Sequence, residues 1–135
     1  PTLLELAGAQ APTCHGQSAA AIITGKGTAP KRDFVIGQYY GKQTWVNPIR
    51  SIRTSDWKYN LYTDWGEELY DMKNDPEEIV NLATDSTYTK TKRTLRKQLD
   101  QWMEENEDPF YSFTTTELDA SEAKTIQKDI NYKKS

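Results

Sequence analysis

Between Asp33 and Met72 the chain passes through four short segments rich in β-branched and aromatic residues: DFVIGQYY, IRSIRTS, WKYNLYT and EELYDM. Turn-like GKQTWVNP, SD and DWG separate them, and this spacing implies an antiparallel sheet of three or four strands. Alternation in WKYNLY puts Trp57, Tyr59 and Leu61 on one face and Lys58, Asn60 and Tyr62 on the other, the pattern of a half-buried strand. In IRSIRT both faces are mixed, with Ile49, Ser51 and Arg53 on one and Arg50, Ile52 and Thr54 on the other. Downstream, roughly from Ser86 to Asn106, Leu95, Leu99, Trp102 and Met103 fall at i, i+4, i+7 and i+8, the apolar stripe of an amphipathic helix. Asp85 or Ser86 is placed to cap it, and Asp108-Pro109 ends it. The fold class is therefore α+β: a small antiparallel sheet of three to four strands packed against one long C-terminal helix.

A chain of 135 residues has room for one domain. Its hydrophobic fraction of 36% and mean hydropathy of -0.86 are low for a self-sufficient globule, yet four Trp and 11% aromatic residues argue against disorder. The expectation is a thin core with a polar exterior, a piece that leans on something larger. A start at Pro1 without Met fits a processed or truncated chain. The charge is uneven: residues 1–65 hold seven Lys/Arg against four Asp/Glu, and the remainder ten against sixteen. A basic front half can face an anionic ligand or serve as ordinary solvated surface.

PTLLELAG has Leu3, Leu4 and Ala7 at helical spacing, with Pro1 suited to a first turn and Gly8 to an exit. AQAPTCHGQS follows as a loop, and SAAAIITGKG as a turn or two of helix broken by glycines. The acid-rich run GEELYDMKNDPEEIVNLA, residues 66–83, reads as architecture. Within it NDPEE predicts a helix start, with Asp75 as cap, Pro76 in the first turn and Glu78 completing a capping box. The alternating oxygen ligands and glycine turn of a calcium loop are absent from it.

Nucleophilic catalysis needs a base within hydrogen-bond reach, and the single histidine, His15, adjoins the single cysteine, Cys14, in a loop. Sequence neighbours rarely face each other productively. One cysteine also excludes an internal disulfide and a cysteine-based zinc cluster. Neither a phosphate-binding GxxxxGK[ST] nor a dinucleotide GxGxxG occurs, and no run of 18 apolar residues is present. The ligand-like stretch is QYYGKQTWVNPIRSIR, in which Tyr39, Tyr40 and Trp45 interleave with Lys42, Arg50 and Arg53. Aromatic faces stack on sugars or bases and guanidinium forks hold sulfate, carboxylate or phosphate, so a glycan and a nucleic acid both stay open on the residues alone.

The order PTLLELAG, HGQS, IRSIRTSDWKYNLY, GEELYDMKNDPEEIVNLA and LRKQLDQWM resembles the C-terminal subdomain of type I sulfatases, of the alkaline-phosphatase-like superfamily, over residues 1–109. Its most specific parts are R-[ST]-x-x-[WY]-K-Y at Arg53 and E-L-Y-D-x-x-x-D-P-x-E-x-x-N-L at Glu68. Within that family the chain is most similar to heparan N-sulfatase-like members. The resemblance implies a C-terminal subdomain over 1–113, in which 1–32 form the end of the preceding α/β domain and a connecting loop, and a polar tail over 114–135. It implies hydrolysis of sulfate esters or N-sulfates of carbohydrate by the full-length parent, using formylglycine and calcium held by an upstream catalytic domain. No catalytic or metal-binding residue is expected in this chain, because Cys14 lacks the Pro and Arg of the C/S-x-P-x-R motif. The fragment alone is expected to be inactive. Gln38, Tyr40, Lys42 and Arg50 are the expected glycan contacts, since the loop before the IRSIRT strand approaches the substrate in that family. HGQSA departs from the family's HGRSL at Gln17 and Ala19, which weakens an anion-binding role there. Expected partners are a sulfated carbohydrate and the upstream domain, with neither nucleic acid nor membrane, in a secreted, periplasmic or lysosome-like compartment. The competing readings are a non-catalytic module for anionic glycan or nucleic acid, a fragment of a related phosphodiesterase or phosphonate hydrolase, and a pure scaffold with Leu3, Leu4, Ile22 and Ile23 exposed for a partner.

Overall fold

A four-stranded antiparallel meander forms where the alternation places it: β1 (Val35–Lys42), β2 (Trp45–Arg53), β3 (Trp57–Tyr62) and β4 (Glu67–Asp71), in the spatial order β1-β2-β3-β4. The computed structural model describes residues 1–28, 30–42, 45–63 and 66–112, with the backbone alone for Lys42, Trp45 and Val46. The expected tail over 114–135, and Asp64 and Trp65 of the DWG turn, lie outside the described residues. The register places Ile36 opposite Ile52, Ile52 opposite Tyr59, and Tyr59 opposite Leu69, so one row of side chains crosses the whole sheet on a single face. Ile52, Tyr59 and Leu69 are fully buried there.

The long turn expected over GKQTWVNP is shorter than that. β1 runs on to Lys42 and β2 resumes at Trp45, with Gly41 paired to Val46 and Lys42 to Trp45. Trp45 and Val46 favour extended backbone, and this extends the ladder. Between the Tyr39–Ile49 and Gly41–Val46 pairs, Tyr40 alone faces both Asn47 and Pro48, and the register shifts. Such a bulge is where a strand accommodates a proline, whose missing N–H costs the ladder nothing.

After a 3-10 turn (Ser86–Tyr88), whose first amides include Thr87 N–H donating to the Asp85 carboxylate at 2.8 Å, the long helix α3 spans Thr89–Glu105. Leu95, Leu99 and Met103 are buried and join Ile52, Tyr59, Leu61, Leu69, Ala83 and Phe110 in one core. Tyr88 packs on Trp57 with ring centroids 5.5 Å apart. The helix ends in a Schellman turn: Glu107 N–H donates to Glu104 O and Asp108 N–H to Met103 O, with Glu107 at φ 49°. Glycine is the usual residue at that left-handed position, so a glutamate there carries backbone strain.

NDPEE does not start a helix. The Asp75 carboxylate instead accepts Ile79 N–H at 3.0 Å and Val80 N–H at 2.9 Å, and Glu78 turns left-handed at φ 58°. The reason is the next segment, which is drawn back to the sheet: Leu82 N–H donates to Leu69 O at 2.8 Å, and Asn81 Oδ1 accepts both Leu69 N–H and Ala83 N–H. Tertiary pairing here overrides local capping preference.

The chain divides into two compact units, the first Pro1–Asp33 and the second from Phe34 onward. In the first, α1 (Thr2–Leu6) leaves through Gly8 at φ 71°, and α2 (Ala20–Ile23) through Gly25 at φ 68°. Thr2 Oγ1 accepts Ala19 N–H at 3.0 Å and ties the two short helices. Leu3, Leu4, Ile22 and Ile23 are exposed.

Candidate functional site

Arg50 occupies the apolar face of β2, two residues from Ile52, and is fully buried. A cation there must be paired and hydrogen-bonded, because desolvating it alone costs several kcal/mol. Its partner arrives from the far end of the chain. The Schellman turn that closes α3 delivers Asp108, whose side chain is 1% exposed, to Arg50 at 2.7 Å. Arg50 Nε donates to Asp108 Oδ2 at 2.8 Å and Nη2 to Oδ1 at 2.7 Å, a bidentate fork. Nη2 also donates to the Tyr40 hydroxyl at 2.8 Å, and Nη1 to the carbonyls of Ile49 and Tyr39. All five guanidinium N–H groups are thereby used.

Asp108 is equally saturated: its Oδ2 also accepts Gln38 Nε2 at 2.6 Å, and its Oδ1 accepts Phe110 N–H at 2.9 Å. The guanidinium lies 4.5 Å from the Tyr40 ring centroid and 5.1 Å from that of Phe110. Burial alone would raise the Asp108 pKa, but the Arg50 hydrogen bonds and charge, with Gln38 and Phe110 N–H, outweigh it and hold the carboxyl below its ordinary value. The result is a closed lock between the β1–β2 hairpin and the end of the long helix. Asn47, beside Pro48 in the bulge, is buried with its Oδ1 unpartnered among the described residues.

A second network stitches β4 to the helix. Glu67 accepts from the Tyr59 hydroxyl at 2.8 Å, Arg96 Nη1 at 3.1 Å and Lys92 Nζ at 2.8 Å. Arg96 also holds Asp100 and the Tyr111 hydroxyl. Burial raises Glu67, yet the hydrogen bonds and charges of Lys92, Tyr59 and Arg96 win and lower it. Burial, reinforced by Glu67, pushes the Tyr59 hydroxyl well above the ordinary phenol range, so it stays protonated at neutral pH. Glu67, Lys92, Arg96 and Tyr111 border a cleft of about 610 Å³, with Leu61, Ala83 and Phe110 among its other lining residues. Its cations Lys92 and Arg96 are already matched by Glu67 and Asp100 among the described residues.

Three further acids of the 66–83 run, Glu68, Asp71 and Glu78, are architectural. Glu68 accepts from Asn60 and Tyr62, Asp71 from the Asn74 side chain and the Lys73 and Asn74 amides, and Glu78 pairs with Lys58. Among the described residues no group of three His, Cys, Asp or Glu is placed to hold a metal ion, so a calcium site does not fit this chain's described side chains. Cys14 and His15 are both exposed, and the thiol contacts the Gly16 carbonyl at 3.7 Å.

Of the four expected glycan contacts, the structure brings Gln38, Tyr40 and Arg50 together around Asp108; the Lys42 side chain lies outside the described set. The sequence marks Asp108 itself only as a helix stop. A signal existed: an arginine on the face that also carries Ile52 demands a buried anion, and Asp108 directly follows the helix packed on that face.

The fold is a small antiparallel meander braced by one long helix. The N-sulphoglucosamine sulphohydrolase C-terminal family matches residues 1–105, and the chain belongs to that family. It is 36% identical over 115 residues to a Delta 4,5-hexuronate-2-O-sulfatase of Bacteroides thetaiotaomicron, covering 83% of this chain and 24% of that protein. The solved structure of a 2-O GAG sulfatase superposes with a TM-score of 0.79 at 32% identity, over 91% of this chain and 27% of that one. A second, solved in complex with D-glucosamine-2-N,6-O-disulfate, gives 0.62 at 28% identity, over 88% and 25%. The chain spans about a quarter of the length of these three relatives, and its fold is that of the C-terminal subdomain in alkaline-phosphatase-like sulfatases.

Proposed function

We propose that the intact protein hydrolyses sulfate esters or N-sulfates of carbohydrate, and that this chain supplies structural support and one wall of the substrate pocket. The observation that carries this reading is the family match over residues 1–105, shared with relatives that are carbohydrate sulfatases. A formylglycine nucleophile and a calcium ion, on this reading, would be held by the remainder of the polypeptide, the first to supply an attacking oxygen and the second to hold the sulfate. The partners are a sulfated carbohydrate and that catalytic portion, in a secreted, periplasmic or lysosome-like compartment. No helix among the described residues is long and apolar enough to cross a membrane.

Within this chain the β1–β2 hairpin faces the substrate through Gln38, Tyr40 and Lys42. Arg50 acts from behind them: its N–H groups are consumed internally, so it works by fixing Tyr40 and the Tyr39 carbonyl in place. Positioning of this kind matters because a displacement of about 1 Å in a binding wall can cost about 100-fold in rate. The experiment is sulfate release by the intact protein, matured to formylglycine, from sulfated mono- and oligosaccharides, with phosphonate and phosphodiester substrates alongside. Sulfate release from at least one sugar supports the reading. Release of phosphate or phosphonate products alone overturns it.

A further inference from the structure

The helix α3 (Thr89–Glu105) carries its charges against its own dipole. Lys90, Lys92 and Arg93 lie in its first five residues and Glu104 and Glu105 are its last two, with no acid in the first turn and no base in the last. Cations near a helix N-terminus and anions near its C-terminus are each unfavourable. Lys92 is absorbed by Glu67. Lys90, Arg93 and Lys97 are exposed and have no acid partner among the described residues.

These three fall at i, i+3 and i+7, one face of the helix, opposite the Leu95, Leu99 and Met103 stripe that enters the core. Their Cα atoms span about 10 Å along the axis at about 1.5 Å per residue. With Ser86, Thr87 and Thr94 they line an open groove of about 500 Å³. The terminal amides do not create this groove's charge, since Thr87 N–H is already taken by Asp85. In a chain of net charge -3, a row of three cations without an acid partner among the described residues, flanked by hydroxyls, is a local concentration of positive charge.

We propose that this face of α3 is a docking strip for a sulfated polysaccharide chain. It holds the polymer by ion pairing and counterion release while one residue is processed elsewhere. The choice of a sulfated glycan rests on the reading of the intact protein as a carbohydrate sulfatase; the cationic strip itself does not.

The test compares the intact protein with a Lys90→Gln, Arg93→Gln, Lys97→Gln variant and with a control carrying Lys26→Gln, Lys31→Gln and Lys73→Gln. Heparin affinity is measured over a salt series, and kcat/KM on a sulfated polymer and on a sulfated monosaccharide. The strip variant is expected to lose about tenfold in heparin affinity near 0.15 M salt, with a salt slope shallower by about 2 to 3. Its kcat/KM falls on the polymer and holds on the monosaccharide, and its melting temperature is no lower than wild type. Heparin affinity equal to that of the control variant would overturn the strip. Equal retention of a single-stranded oligonucleotide of matched charge would overturn its assignment to sulfated glycan. Absence of sulfate release from every sugar would defeat the sulfatase reading, while heparin binding would still decide the strip.

Discussion

Replacing Asp108 by alanine tests the lock between hairpin and helix. The substitution strands Arg50, fully buried, without its bidentate anion, and removes the acceptors of Gln38 Nε2 and Phe110 N–H. Breaking one side of a buried ion pair costs about 3–5 kcal/mol, most of it the penalty of the charge left behind. Small domains hold only about 5–15 kcal/mol in total, so the variant sits near its unfolding limit. Arg50→Met alone strands the carboxylate instead, and combining Arg50→Met with Asp108→Ala removes both charges. The double variant is therefore expected to cost less than the sum of the singles by at least about 2 kcal/mol, the signature of directly coupled sites. Urea titration followed by tryptophan fluorescence reads this, with Trp57 and Trp102 packed against the core as reporters. A loss below about 1 kcal/mol for Asp108→Ala, or additive singles, would refute the lock, since an exposed pair gives values of that size.

Leu99→Ala, at a fully buried position under the sheet, is expected to destabilise by about 2–5 kcal/mol, visible as a lower urea midpoint at unchanged slope. Asp108 and Glu67 both have lowered folded-state pKa values, so the stability they add is present above the ordinary carboxylate range and is lost as pH falls below about 4; urea midpoints between pH 7 and pH 3 check this. Glu107→Gly relieves the left-handed residue of the Schellman turn and is expected to stabilise by several tenths to about 1 kcal/mol, read as a higher melting temperature.

The meander and the long helix were legible because each rests on periodicity: alternation in WKYNLY and the Leu95, Leu99, Met103 stripe need no distant partner to be read. NDPEE misled because a helix start and a carboxylate-closed turn share their first residues; the deciding event is the return of Leu82 to Leu69. The hairpin bulge was hidden behind a proline that reads as a turn. The lock was half visible. Arg50 on an apolar face asks for an anion, but Asp108 is 58 residues away and its Schellman turn carries glutamate where glycine would have marked it.

The most direct measurement of the central claim is steady-state kinetics of Gln38→Ala and Tyr40→Phe in the intact, matured protein, with a sulfated oligosaccharide and a small aryl sulfate side by side. A hairpin that forms one wall of the glycan pocket predicts a KM raised about tenfold for the oligosaccharide, about 1.4 kcal/mol of lost binding, with the aryl sulfate little changed. Unchanged kinetics on both substrates, with sulfate still released, would contradict it.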